Sequence, residues 1–395
     1  MTGRPVYVNW DLSSYTGWGV YGLNLALQWC QDPDLTVYFT GKSSREGLSL
    51  DLLRQLAIEP LLRRSEAFQA KLAPLSGQAA AVQGLALNGF DDAFEVAQVA
   101  HDVRLLGEPS LAVTFFETTQ MAPDALLRAA QYPLVVAGSS WNAEILRAHG
   151  LKDVRFVMQG VDPAFFHPAP RQGLYPDRFL VFSGGKLERR KGQDLVLAAF
   201  RRFAERRTDA LLVTAWQSPF NGYAPSLNLS GLASPLPPGG ESVDVLAWAA
   251  ANGIDRDHVI DLGMIANRNM PGILREMDVA LFPNRAEGGT NLVAMECLAC
   301  GVPAILSCNT GHLDLIEDGN CYPLDQQGVL AGREGPFGAV AGWGESDVDE
   351  IVEQLERVYA HREEARARGL AGAAMMTGHS WAGTAQAMKA IILSH

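Results

Sequence analysis

The chain has 395 residues and a mass of 42.7 kDa, more than one ordinary hydrophobic core organises, so two domains are expected. Hydrophobic residues make up 48% and charged residues 19%, which excludes an intrinsically disordered chain. The formal net charge of -12 argues against a nucleic-acid backbone binder, and no apolar run approaches the ~18 residues of a spanning helix.

Short apolar runs alternate with helical patterns from the start. Val6 to Leu12 reads as a strand, Val20 to Cys30 as a helix, and Leu35 to Thr40 as a second strand. Leu50 to Leu72 is helical with an interruption at Pro60. Pro74 to Leu87 is rich in small residues and takes no assignment. There follow strand Leu111 to Phe116, helix Pro123 to Gln131, strand Leu134 to Ala137, helix Ser140 to His149 and strand Val154 to Met158. Strands joined by helices imply crossover connections and a parallel sheet. Val161 to Pro170 contains Pro163, Pro168 and Pro170 and reads as a linker.

The alternation then restarts with strand Phe179 to Ser183, helix Gln193 to Arg206 and strand Ala210 to Ala215. Gln217 to Glu241, rich in Pro, Gly and Ser, reads as an irregular insertion. Helix Val243 to Asn252, strand Val259 to Leu262, helix Pro271 to Met277, strand Val279 to Phe282, helix Leu292 to Ala299 and strand Pro303 to Ser307 continue the pattern. A charged helix over Asp347 to Arg368 and a last helix over Trp381 to Leu393 close it. Open parallel sheets hold ligands beyond the carboxyl ends of their strands, so function is expected in a cleft between two such halves.

Two segments carry chemistry. Gly184-Gly185-Lys186-Leu187-Glu188-Arg189-Arg190-Lys191-Gly192 follows a strand and precedes a helix. Lys186 and Lys191 there are candidates to hold phosphate oxygens; the alternative is a solvated basic turn. Pro283 to Glu296 also links a strand to a helix and contains Glu287, Gly288, Gly289, Thr290, Asn291 and Leu292. Free amides at a helix start favour an anion. A carboxylate such as Glu296 or Glu287 suits a pair of sugar hydroxyls; the alternative is a favourable helix N-terminal charge.

These residues resemble the large retaining group of GT-B glycosyltransferases called family 4. Lys186-Leu187 and Lys191-Gly192 are similar to its Arg-Leu and Lys-Gly elements, and Glu287 with Glu296 to its Glu pair. Eight residues separate the two Glu here, one more than the usual seven. The resemblance implies an α/β GT-B fold: two facing Rossmann-like domains with a cleft and a C-terminal helix crossing back. It implies an acceptor-side domain over 1–165, a nucleotide-sugar domain over 166–378 and a returning helix over 379–395. Gly17 and Gly19 resemble the Gly-rich loop that approaches the donor. Phe116-Glu117 stand where many members have His-Asp, which makes Glu117 the polar candidate there.

The implied activity is retaining, metal-independent transfer of a sugar from a nucleoside-diphosphate sugar to an acceptor hydroxyl, in surface polysaccharide or glycoconjugate synthesis. On this reading Lys186, Lys191, Glu287 and Glu117 are catalytic. Gly17, Gly19, Gly185, Lys186, Lys191, Gly288, Gly289, Thr290, Asn291, Leu292 and Glu296 bind the nucleotide sugar. No cofactor or metal is expected, and the acceptor is a glycan, a lipid-linked molecule or a protein. The rival readings are an epimerase or phosphorylase on the same fold, and a non-catalytic sugar-nucleotide binder.

The remaining polar residues take bland readings. Five cysteines, an odd number, suggest free thiols in a reducing compartment, and the N-terminal residues show no signal-peptide core, so a cytoplasmic setting is expected. Cys297, Cys300, Cys308 and Cys321 fit no common zinc spacing. Asp255-Arg256-Asp257 and Asp347-Val348-Asp349 read as helix-end acids before metal ligands. His312 reads equally as a cleft residue or a structural one. Arg189, Arg190, Arg201, Arg202, Arg206 and Arg207 read as solvated helix charges, with peripheral contact to anionic lipid as the alternative.

Overall fold

The structure, a computed structural model, describes residues 3–41, 45–95, 103–236, 242–330 and 340–395. In the first half, β1 (Arg4–Asn9) leads to α1 (Gly17–Trp29), and β2 (Leu35–Phe39) to α2 (Leu52–Leu72). Then come β3 (Ala79–Ala81), β4 (Leu85–Phe90), β5 (Arg104–Leu106), β6 (Ser110–Thr114), α3 (Pro123–Ala129), β7 (Val135–Ala137), α4 (Ser140–Ala148) and β8 (Val154–Phe156). Six strands form one parallel sheet in the order β2-β1-β4-β6-β7-β8.

The second half repeats the plan. It runs β9 (Phe179–Gly184), α5 (Gln193–Ala204), β10 (Ala210–Ala215), α6 (Val245–Ala251), β11 (Val259–Asp261), α7 (Met270–Leu274), β12 (Val279–Phe282), α8 (Leu292–Ala299), β13 (Ala304–Ser307) and β14 (Tyr322–Leu324). Its parallel sheet has the order β11-β10-β9-β12-β13-β14. A small antiparallel pair, β15 (Gln327–Val329) and β16 (Gly344–Ser346), precedes α9 (Val348–Ala360), α10 (Arg362–Met376) and α11 (Trp381–Ser394).

Both strand orders reverse direction once. In the first sheet the switch lies between β1 and β4, and in the second between β9 and β12. Loops leaving the two strands at a switch diverge to opposite faces and leave a crevice between them. The two crevices face each other, which fixes where a ligand can sit.

Burial explains the strands. In the second domain Val181, Leu212 and Leu281 pack under Leu197 and Phe200 of α5 and Ile351 and Leu355 of α9. Phe182, Val213 and Ala280, on the other face, pack under Met295 and Leu298 of α8. Strands covered on both faces read as continuous apolar runs, as these do. Each of the Val, Leu, Ile, Phe and Met side chains contributes about 1.5–3 kcal/mol on burial. In the first domain Met388 and Ile392 of α11 join Val6, Val8, Tyr21 and Leu25 in one core. Trp29 Nε1 donates to the carbonyl of Ala385 at 3.2 Å, so the last helix completes the first domain.

Three expectations need correction. α2 runs unbroken from Leu52 to Leu72, because Pro60 interrupts one backbone bond but not the helical path. The unassigned stretch before residue 87 contains β3 and the start of β4, a central strand with every residue buried. Asn88 and Gly89 disguise β4 in the sequence; Asn88 is buried because its side chain accepts from Asn9 at 3.0 Å. The single helix expected over Asp347 to Arg368 is two helices that meet at His361, which has φ -119° and ψ 63°. The bend lays α10 against the end of α8, where a Cβ on Gly369 would come within 2.3 Å of the Gly301 carbonyl oxygen.

Candidate active site

Between the two switch points lies a cavity of about 790 Å3, lined from both domains. Its chemistry begins in the turn after β9. Gly185 has φ 119° and Gly192 φ 73°, both favouring glycine. A Cβ on Gly192 would lie 2.4 Å from the Pro283 carbonyl oxygen, so this turn packs directly on the loop after β12. The Arg285 amide donates to the Arg190 carbonyl at 2.6 Å and clamps the two together. Beneath them the Arg285 guanidinium, fully buried, pairs with Asp194 at 2.7 Å and Glu345 at 2.6 Å.

The clamp brings opposite charges together. Lys191 Nζ donates to Glu287 Oε1 at 2.5 Å, and Arg190 donates to Glu287 Oε2 at 3.0 Å. Asn284 donates to the same carboxylate. Arg190 also reaches Glu188 at 3.3 Å and Glu117 at 3.5 Å. Lys186 Nζ pairs with Glu188 at 3.0 Å and lies 4.7 Å from the ring centre of Tyr223. Burial alone would raise the Glu287 pKa, but the Lys191 and Arg190 charges outweigh it and hold the carboxyl at about 2. Glu117, across the cavity, is raised by burial, which the Arg190 charge only partly opposes.

Glu296 stands apart from these cations on α8. It is buried, and Asn267 donates to its Oε1. Burial raises its pKa to about 8 against the smaller, opposing effect of the Asn267 bond, so at neutral pH it is mostly protonated. Asn291, with φ 63°, opens α8 and lines the cavity. Its amide Nδ2 meets His312 Nε2 at 3.1 Å, and His312 Nδ1 meets Ser307 Oγ at 3.0 Å. Burial lowers the His312 pKa to about 4, so the ring is neutral. His312 thus props Asn291 from behind and does not line the cavity.

Of the sequence-predicted residues, Gly17, Gly185, Lys186, Lys191, Glu287, Gly289, Asn291, Leu292, Glu296 and Glu117 line one cavity. Three do not. The Gly19 amide donates at 3.2 Å to Thr16 Oγ1, which caps α1. The Gly288 carbonyl accepts from Ser139 Oγ at 2.7 Å, and Thr290 points inward to the sulfur of Met295 at 2.9 Å. Several cavity residues were missed, Trp18, Asp91, Asp92, Phe115 and Asn267 among them, and three more show why. Arg190 is buried in the cavity floor and not on the solvated face expected for it. Its partner Glu188 shares its segment, where a single acid among four cations was the available signal. Trp343, which donates to the Glu117 carbonyl, gave no signal because its contact is tertiary.

The other sequence candidates have structural partners. Asp347 caps α9 by accepting from the amides of Asp349 and Glu350 at 2.7 and 3.1 Å. Asp349 pairs with Arg202, and Glu356 with Arg207 at 2.7 Å and Arg206 at 3.8 Å, so these arginines serve α9. Cys297 is buried on α8 and Cys300 just beyond its end. Among the described residues no group of His, Cys, Asp and Glu is placed to hold a metal ion, and no helix is long and apolar enough to cross a membrane.

Residues 169–334 match the sequence profile of the family described as Glycosyl transferases group 1. The chain is 29% identical over 203 residues to a GDP-mannose-dependent alpha-(1-6)-phosphatidylinositol dimannoside mannosyltransferase of Mycobacterium tuberculosis. That alignment covers 49% of this chain and 46% of the relative. It is 24% identical over 282 residues to mannosylfructose-phosphate synthase of Agrobacterium fabrum, covering 66% of this chain and 52% of the relative. The chain therefore spans about half the length of the curated relatives it matches. The fold superposes on Anabaena HepE, solved with UDP and glucose, at a TM-score of 0.62 and 14% identity, over 99% of each chain. The chain thus has a GT-B fold, and its second domain is similar in sequence to the group 1 glycosyltransferases.

Proposed function

We propose that the chain is a retaining, metal-independent glycosyltransferase that moves a sugar from a nucleoside diphosphate to an acceptor hydroxyl, in surface polysaccharide or glycoconjugate synthesis. The observation that carries this is the grouping of Lys186 with Arg190 and Lys191, the latter two paired with Glu287, at the β9/β12 switch point, facing a cavity shared by both domains. Breakage of the sugar–phosphate bond builds negative charge on the departing diphosphate. Preorganised cations in a buried site stabilise such charge by several kcal/mol. The amides at the start of α8, next to Gly289 and Asn291, add partial positive charge. Together they do the work a divalent ion would otherwise do.

Glu287 is a poor nucleophile as placed. Both oxygens are engaged by cations or Asn284, and a carboxylate held at about 2 is weakly basic. That supports attack on the same face from which the diphosphate leaves, with the donor's own phosphate taking the acceptor proton. Glu287 then accepts from hydroxyls of the transferred sugar, and Glu296 from the ribose. Glu117 approaches from the acceptor side. The relative named for GDP-mannose and the structure solved with UDP and glucose make GDP-mannose and UDP-glucose the first donors to test.

A thermal-shift screen of GDP, UDP, GDP-mannose and UDP-glucose tests the reading. A ligand at 100 times its dissociation constant stabilises by about 2.7 kcal/mol. At least one of the four is expected to raise the melting temperature, and the product formed from that donor to keep the donor's anomeric configuration. No shift with any of them, or an inverted product, refutes it.

A further inference from the structure

The cavity divides its charges unevenly between its walls. Its three lysine and arginine residues among the described lining, Lys186, Arg190 and Lys191, all come from the turn after β9. Each is already paired with a carboxylate, and a donor diphosphate must take them over. The opposite wall, built from the first domain, contributes Asp91 and Asp92 at the end of β4 and Glu117 beyond β6. It contributes no lysine or arginine among the described residues.

The same cavity holds an aromatic platform beside the donor loop. The Trp18 and Phe115 rings meet edge to face with centroids 4.7 Å apart, and both line the cavity. Phe115 lies against Gly289, where a Cβ would come within 3.0 Å of the ring. Trp18 therefore stands one ring away from the loop assigned to the transferred sugar. A flat ring fits the face of a sugar, and carboxylates in the same cavity can accept from its hydroxyls.

A phosphate on the acceptor would be badly placed here. It carries roughly -1.5 to -2 charge at neutral pH and needs a cation of its own. The only described cations lining the cavity are committed to the donor, and the wall offered to the acceptor is acidic. We infer that the acceptor is an unphosphorylated sugar that stacks on Trp18 and presents its hydroxyls to Asp91, Asp92 and Glu117. This deepens the reading above and rests on it.

The test measures release of nucleoside diphosphate from GDP-mannose and from UDP-glucose by the full chain. Methyl α-mannoside and methyl α-glucoside are compared with glucose 6-phosphate and fructose 6-phosphate at equal concentration. A neutral glycoside is expected to raise release by at least about tenfold over either phosphate, because like charges across a binding surface disfavour a partner strongly. Faster release with a sugar phosphate overturns the inference. If no acceptor alters release, NMR titration of the protein saturated with GDP or UDP decides. A neutral glycoside bound about tenfold more tightly than its phosphate supports the inference, and any other order overturns it. Trp18→Ala is expected to weaken the glycoside while leaving nucleoside diphosphate affinity within about twofold, and Trp18→Phe to restore most of the loss. Unchanged glycoside binding in Trp18→Ala removes the platform. Absence of GDP and UDP binding by the wild type would instead sink the donor assignment.

Discussion

Glu296→Gln should make the free protein more stable and the nucleotide complex weaker. Burial raises the Glu296 pKa from 4.5 to about 8, with only a partial offset from Asn267. Between those values the unfolded chain has lost its proton and the folded chain has kept it. Stability is therefore full below pH 4.5, declines as pH rises through the interval, and levels off above pH 8. At pH 7 the interval already crossed is about 2.5 pH units, which at roughly 1.4 kcal/mol each gives an upper bound of ~3.5 kcal/mol. Gln removes the ionisation and keeps a side chain able to bond Asn267. Its melting temperature should exceed wild type by a few degrees at pH 8 and converge with it near pH 4.5.

Binding runs the other way. Ribose hydroxyls donating to Glu296 favour its ionised form, so nucleoside diphosphate should bind wild type with release of a proton at pH 6 to 7. Calorimetry in buffers of different ionisation enthalpy reads that proton directly. Glu296→Gln should release none and bind ~1–3 kcal/mol more weakly, the worth of a hydrogen bond to a charged group. A variant that melts lower than wild type at pH 8 and binds nucleotide unchanged would refute the reasoning, since Glu296 would then be a packing residue.

The remaining expectations concern the cations, their partner and metal. Lys191→Ala should abolish transfer and weaken nucleoside diphosphate binding by ~2–4 kcal/mol, measured by calorimetry; unchanged affinity would move the phosphate site elsewhere. Glu287→Gln frees Lys191 and Arg190 of a competing carboxylate, so nucleoside diphosphate affinity should hold or rise while the transfer rate falls. Transfer at the wild-type rate in that variant would take Glu287 out of the sugar site. Activity should survive excess chelator, and loss of activity restored by manganese or magnesium would reopen the Asp-x-Asp strings.

Local pattern carried much of this protein. The alternation of apolar strand runs with amphipathic helices, such as Phe179 to Ser183 before Gln193 to Arg206, depends on near neighbours in sequence, so it was legible there. So was the place of the cavity, because glycines and lysines such as Gly185, Lys186 and Lys191 at a strand's carboxyl end are a local feature. The extra residue between Glu287 and Glu296 was also visible.

Its consequence was not. Only the clamp between the Arg190 carbonyl and the Arg285 amide, closed over the buried Arg285–Asp194 pair, decides that Glu287 faces Lys191. The same holds for Arg190, read as solvated and found buried among three carboxylates, and for Glu296, whose burial converts an expected anion into a proton carrier. β4 was hidden because a strand buried on both faces needs no alternation, and its Asn88 is satisfied by Asn9 on the neighbouring strand. Sequence fixes which groups are present and which helix or strand bears them. Charge state and partner depend on desolvation and on contacts across hundreds of residues, and those exist only once the two domains have packed.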